Sequence, residues 1–227
     1  MIALSEIPDP KSQSPNHNER VLGFGIWDLG FGILKLIVAI TGATGVIYGV
    51  RLLERLRDAG VETHLVISRW GARTLLHETP HSREHVESLA TVSYAPADMG
   101  AAISSGSFRT DGMIVAPCSA KTLAAIAHGF GENLIHRAAD VILKERRRLV
   151  LMVREAPLSD IHLENMLKLS RMGAQILPPM PAFYNHPRTV DDIVDHTVWR
   201  VLDQFGLDAG GAARWSGEMG VGRAAED

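Results

Sequence analysis

The stretch "KLIVAITGATGVIYGVRLLERL", residues 35–56, decides the fold. A short apolar run ends at Thr41, Gly42-Ala43-Thr44-Gly45 follows, and apolar residues then recur at helical spacing. The pattern predicts a strand, a glycine-rich turn and a helix. The first backbone N–H groups of such a helix have no intrahelical partner, so the turn suits an anion, most often a phosphate.

Outward from this unit the same alternation continues. Strand patterns fall at 36–41, 61–67, 112–117, 148–153 and 174–177; helix patterns fall at 45–59, 70–77, 97–103, 119–128, 132–145, 158–172 and 189–205. Short, nearly continuous apolar strands separated by helices imply an α/β protein of three layers, its mainly parallel sheet covered on both faces. Ligands of such sheets bind beyond the carboxyl ends of the strands, at a topological switch point. Those ends carry Gly42–Gly45, Ser68, "PCSAKT" at 117–122 and "REAPLS" at 154–159. One domain over 35–207 is expected, with a C-terminal tail over 208–227.

The composition is that of a globular protein: 46% apolar and 22% charged residues, with a formal net charge of −3. That charge gives no support for a nucleic acid partner or an acidic membrane surface. A single cysteine excludes an intrachain disulfide and a cysteine metal cluster, so a reducing cytoplasmic setting is the default. Residues 1–34 do not match the rest. "IPDPKSQSPNHNER" is polar and proline-bearing and reads as a disordered extension. The apolar "VLGFGIWDLGFGILK" runs into the first strand, and Asp28, Lys35 and the glycines of 21–50 argue against a membrane span. It also lacks the blocks of a signal peptide.

The first loop differs from a dinucleotide site. It reads G-x-x-G rather than G-x-G-x-x-G, and the second strand ends in Ser68-Arg69, without the carboxylate that binds ribose hydroxyls. A mononucleotide phosphate held by N–H groups, Thr44 and Ser68 fits better; a ligand-free tight turn is the plainer alternative. "APCSAKTLAAIAHG" repeats the device, with Ser119 as a natural N-cap and Lys121 and Thr122 over the helix start. Two polar strand–helix turns in one sheet favour a shared flat ligand. Cys118 has no histidine paired to it by any motif and reads as a packing residue. In 133–187, Arg137, Lys144 and Glu145 fall at helical spacing, and the run from Lys144 to Arg148 suits a solvated helix end. Arg154-Glu155, just after an apolar strand, lie where the sheet presents its ligands.

With these residues in view, the chain resembles the flavin prenyltransferases of the UbiX type, once described as aryl-acid decarboxylase subunits. The likeness runs from about Leu36 to Trp215. It is carried by "TGATGVIYGVRLLE", "SSGSF", "PCSAKTLAAIAHG", "RAADVILKERRRLVL", "REAPLSDIHLENMLKL", "GAQILPPMPAFYNHP" and "RVLDQFGL". Each motif is weak alone, but their number and order are specific. The resemblance implies a flavodoxin-like (Rossmann-like) doubly wound fold and a homododecamer with active sites between subunits. The implied reaction joins a dimethylallyl group, from dimethylallyl monophosphate, to N5 and C6 of reduced FMN without a metal. The prenylated FMN then passes to a partner decarboxylase of ubiquinone biosynthesis or aromatic-acid breakdown.

Residue by residue, the resemblance places FMN against Gly42, Ala43, Thr44, Ser68, Ser119, Ala120, Lys121, Thr122 and Arg154. It places the dimethylallyl phosphate against Arg137, Lys144, Tyr184, Arg200 and Trp215, with Glu155 nearby. Glu78 in "HETP" matches an active-site glutamate, so the expected catalytic set is Thr44, Glu78, Lys144 and Glu155. Thr44 departs from the family's usual serine: the hydroxyl stays, an added methyl narrows its rotamers. The residue types suit the chemistry independently. Lysine and arginines stabilise a departing phosphate without a metal, Tyr184 adds a hydrogen bond, and a π-face stabilises an allyl cation. Glu155, or the freed phosphate, is a suitable base for the ring proton.

"TVDDIVD", 189–195, contains D-D-x-x-D, the magnesium–diphosphate motif of isoprenoid synthases. Thr189 with Asp192 after Pro187 reads instead as a capping box. The histidines show no H-x-x-x-H pair, so no metal site is expected. Two other functions compete: a flavin-binding decarboxylase subunit without turnover, and a flavin-dependent cysteine decarboxylase. The joint presence of Lys144, Arg154, Glu155, Tyr184 and Arg200 argues against the first; the lack of P-x-M-N-x-x-M-W in "PLSDIHLENM" argues against the second.

Overall fold

The computed structural model describes residues 33–208 and Gly217. The expected extension up to residue 32 and nearly all of the tail, Trp215 included, lie outside the described residues. The strands are β1 (Lys35–Ile40), β2 (Glu62–Ile67), β3 (Val92–Tyr94), β4 (Gly112–Cys118), β5 (Arg148–Val153) and β6 (Gln175–Ile176). The helices are α1 (Val46–Asp58), α2 (Arg69–Glu78), α3 (Arg83–Ser88), α4 (Ala120–Ala127), α5 (Leu134–Lys144), α6 (Asp160–Arg171) and α7 (Val190–Asp203). The strands form one sheet, ordered β3-β2-β1-β4-β5-β6, with every pairing parallel.

Alternation along each strand separates two cores. Leu36, Val38 and Ile40 of β1 pack with α1, α2, α3 and α7 on one face. Ile37 and Ala39 pack with α4, α5 and α6 on the other. The three-layer, doubly wound fold is therefore as expected. α1 lies so close to the sheet that a Cβ on Gly49 would stand 2.5 Å from the Ala116 carbonyl oxygen. Outside the core, α1 and α7 are tied by Arg51 and Arg55, which share Asp195 at 2.6 and 3.3 Å.

Local chemistry corrects part of the sequence reading. The helix expected over 97–103 is absent: Asp98 Oδ1 accepts from Gly100 N, and only a 3-10 turn at Ala102–Ser104 follows. That Asx-type bond satisfies the backbone in a turn instead. Two elements went unanticipated, α3, whose N-cap is Ser82, and the exposed edge strand β3.

A buried polar cluster joins β1, β2 and β3. His64 is 3% exposed, with Glu62 Oε1 at 3.0 Å, Tyr94 Oη at 2.9 Å and the Phe108 ring edge-on. Burial, partly offset by Glu62, pushes the imidazole below its ordinary value. The unfolded chain thus takes up this proton more readily than the folded one, so stability is complete above the unfolded value and falls with pH below it. Stability is therefore expected to fall as the pH is lowered from 7.5 to 5.5, through the ordinary histidine range. Denaturant midpoints at pH 7.5 and 5.5, for wild type and His64→Gln, measure it; an equal acid loss in both would contradict the assignment to His64.

Candidate functional site at the carboxyl edge of the sheet

β1 connects on one side to β2 and on the other lies beside β4, so the chain reverses direction of winding between β1 and β4. In doubly wound sheets the crevice opens at that point, beyond the carboxyl ends. Both polar loops lie there. They are fastened to each other by Thr41, 1% exposed, whose Oγ1 donates to the Pro117 carbonyl at 2.7 Å and accepts from Ser119 N at 2.9 Å. The sequence reading used Thr41 only as a strand end. Its partners lie 76 and 78 residues away, so no local pattern marks it.

The first loop turns into α1 through Gly45, at φ 91° in the left-handed region that favours glycine. No side chain within the loop caps α1. Glu78, at the end of α2, does so from outside: its Oε2 accepts from Gly45 N at 2.8 Å and Val46 N at 3.2 Å. A carboxylate at a helix N-terminus is favoured by the exposed N–H groups and the dipole. A Cβ on Gly42 would collide with the Cβ of Trp70, so the loop and the start of α2 are in close contact. Thr44 is exposed and Ala43 half-buried on the loop. Ser68 follows β2, its N donating to the Ile40 carbonyl and its Oγ accepting from Gly71 N at 2.9 Å.

In the second loop Ser119 is the N-cap of α4, accepting from Thr122 N and lying 3.1 Å from Thr122 Oγ1. Ala120 and Lys121 occupy the first turn, where N–H groups lack intrahelical partners. The Lys121 ammonium itself pairs with Glu132 at 3.0 Å. Arg154 is anchored beside this loop by its N, which donates to the Cys118 carbonyl at 3.0 Å, while its side chain is exposed. Glu155 follows, with Oε1 accepting from Ala156 N at 3.1 Å. Cys118 is wholly buried and its thiol is pushed up to about 12 by desolvation, as befits a packing residue.

Lys144 is not brought to this edge. Lys144 ends α5 just before β5, and Arg154 and Glu155 come just after it. Six strand residues at roughly 3.3 Å each put about 20 Å between them. Lys144 pairs with Glu145 beside Gly106. Arg137, a turn inside α5, donates through Nε to the Ser104 carbonyl at 3.0 Å and pairs with Asp140. Tyr184 lies on the loop between β6 and α7, and Arg200 on α7, where it pairs with Asp203 at 3.1 Å.

The D-D-x-x-D stretch is a capping box: Thr189 accepts from Asp192 N, and Asp192 Oδ2 accepts from Thr189 N and Arg188 N. Asp191 and Asp195 are engaged by Arg51. Among the described residues no group of three His, Cys, Asp or Glu could hold a metal, and no helix is long and apolar enough to cross a membrane.

FMN is the group to test against this crevice. It offers N–H groups at the start of α4, the hydroxyls of Thr44, Ser68, Ser119 and Thr122, and the Arg154 guanidinium, with no acid closing β2. That donor set fits a phosphate monoester and a flat ring, and lacks the ribose carboxylate of dinucleotide sites. The fold and site therefore define a flavodoxin-like, mononucleotide-binding α/β protein. Residues 32–202 match the Flavoprotein family. Over 193 residues the chain is 63% identical to a Streptomyces sp. (strain D7) protein named "Probable UbiX-like flavin prenyltransferase", covering 85% of this chain and 96% of that one. The dodecameric FMN-dependent UbiX-like decarboxylase of Escherichia coli O157:H7 superposes with a TM-score of 0.79 at 64% identity, over 80% of this chain and 99% of that one. AnUbiX (PadA1), solved with FMN and dimethylallyl pyrophosphate, superposes with a TM-score of 0.82 at 53% identity, over 83% and 100%. The chain belongs to the UbiX-like flavin prenyltransferase family.

Proposed function

We propose that the protein transfers a dimethylallyl group from dimethylallyl monophosphate to N5 and C6 of reduced FMN, without a metal, and releases prenylated FMN to a partner decarboxylase. The observation that carries this is the crevice at β1 and β4, two phosphate-type loops locked together by Thr41 in a chain of this family. Reduced FMN, when bound, supplies the nucleophilic ring positions. The side chains do the rest. The α4 N–H groups, Ser68, Ser119, Thr122 and Arg154 hold the mononucleotide. Glu78 fixes the first loop through Gly45 and Val46, which makes it a positioning residue. Lys144, Arg137 and Arg200 take up the charge of the departing phosphate, and Tyr184 holds the phosphate of the bound substrate by a hydrogen bond. Glu155 accepts the ring proton.

Lys144 and Arg154 stand at opposite ends of β5 on one chain, which supports a site completed by neighbouring copies in a dodecamer. Exposed Trp70 and Leu76 on α2, and Ile161 and Leu167 on α6, offer apolar faces for such copies. We place the protein in the cytoplasm, in keeping with its single buried cysteine. Anaerobic incubation with reduced FMN and dimethylallyl monophosphate is expected to add a five-carbon unit to the flavin and release phosphate. Flavin that binds but gains no such mass would leave only a non-catalytic flavin-binding subunit.

A further inference from the structure

Tyr184 lies in a turn closed by His186 N donating to the Phe183 carbonyl, a few residues before the Thr189 cap of α7. Its hydroxyl reaches back to His196 on that helix, with Oη 3.3 Å from Nε2. The two rings also meet edge to face, at 5.6 Å between centroids and 84° between planes. His196 is 6% exposed, and one turn further on stands Arg200. One histidine thus sits between the two phosphate ligands proposed for this segment. It appears in no motif used above.

The direction of the Tyr184–His196 bond follows from what is buried. His196 Nδ1 is inaccessible and has no hydrogen-bond partner among the described residues. Burial first, and the Arg200 charge next, push the imidazole below its ordinary value, which favours the neutral ring. A neutral ring carries one proton. Placed on Nδ1, it would leave a buried N–H unpaired; placed on Nε2, it is satisfied by Tyr184 and leaves only an unpaired acceptor. The second tautomer is favoured. Nε2–H then donates to Tyr184 Oη, and the tyrosine proton is directed away from His196. A phenol oxygen that accepts a hydrogen bond is also the stronger donor.

Resting on the prenyltransferase reading, we propose that His196 is a positioning residue, which donates through Nε2–H to Tyr184 Oη and so aims the tyrosine hydroxyl as a donor to the phosphate of the prenyl substrate.

The test is a double-mutant cycle on the assembled protein, read as KM for dimethylallyl monophosphate, kcat and FMN affinity. His196→Phe keeps an aromatic ring against Tyr184 and removes the donor. It is expected to raise KM about 10-fold, to change kcat by less than about 3-fold and to leave FMN affinity unchanged. Tyr184→Phe is expected to match it, and the double variant to be no worse than Tyr184→Phe alone. His196→Gln, which retains an N–H donor, is expected to recover most of the loss. Should the phenylalanine variant not fold, His196→Leu takes its place in the cycle. Wild-type KM in the donor-less variant, or effects that multiply in the double variant, overturns the proposal. Wild-type protein that forms no prenylated flavin overturns the prenyltransferase reading instead, and the two failures are thereby distinct.

Discussion

Glu155→Gln is expected to bind FMN as wild type does and to form the fourth flavin ring about 10²–10⁴-fold more slowly, the range lost with a general base. The substitution preserves shape and an acceptor oxygen, so the Ala156 N–H keeps a partner. It removes only the capacity to take a proton. The location is what makes the expectation large. Glu155 stands at the carboxyl edge directly after Arg154, whose backbone is tied to the β4 loop at Cys118. Glu155 thus follows the residue tied to the loop after β4, whereas Glu145 lies at the far end of β5. Anaerobic single-turnover reactions followed by absorbance and mass, beside an FMN titration, measure both quantities. Product at the wild-type rate would remove Glu155 from the mechanism and leave the released phosphate as the base.

Equal mixing of Lys144→Met with Glu155→Gln chains, unfolded and reassembled together, is expected to restore about one quarter of wild-type activity. Each variant alone is expected to be nearly inactive. The expectation follows from the strand between them: β5 holds the two groups about 20 Å apart on one chain, beyond the reach of a lysine and a glutamate toward one small substrate. If one copy supplies Lys144 and another supplies Glu155, random assembly pairs the two intact groups in roughly one site of four. If both come from one chain, no site in the mixture is intact. Activity no higher than the mean of the separate variants would refute the shared site.

How much could be read from sequence depends on the range of each interaction. The Thr189 box was legible because its partners are three residues apart, and Ser119 for the same reason. The winding of the sheet was legible because buried parallel strands are apolar almost throughout, as β4 is. Short or solvated elements carry little pattern: β3 has three residues, and the six of α3 bury only Val86. The false helix over 97–103 shows propensity yielding to the turn between Asp98 and Gly100. Within the site, Glu78 was reached only through the family likeness, since its role is to cap a helix 32 residues earlier in the chain. His196 and Thr41 left no trace at all, being ordinary residues made functional by what folds against them.

Thr41 has a consequence for binding entropy. Two loops that moved independently would each have to be ordered by the ligand, at a cost set against its affinity. Here one buried hydroxyl spans both, so that ordering is completed during folding and the flavin meets a cradle already assembled. The same economy makes the loops inseparable: a displacement forced on "TGATG" is handed to "PCSAKT" through one residue, by the backbone N and the hydroxyl of Thr41.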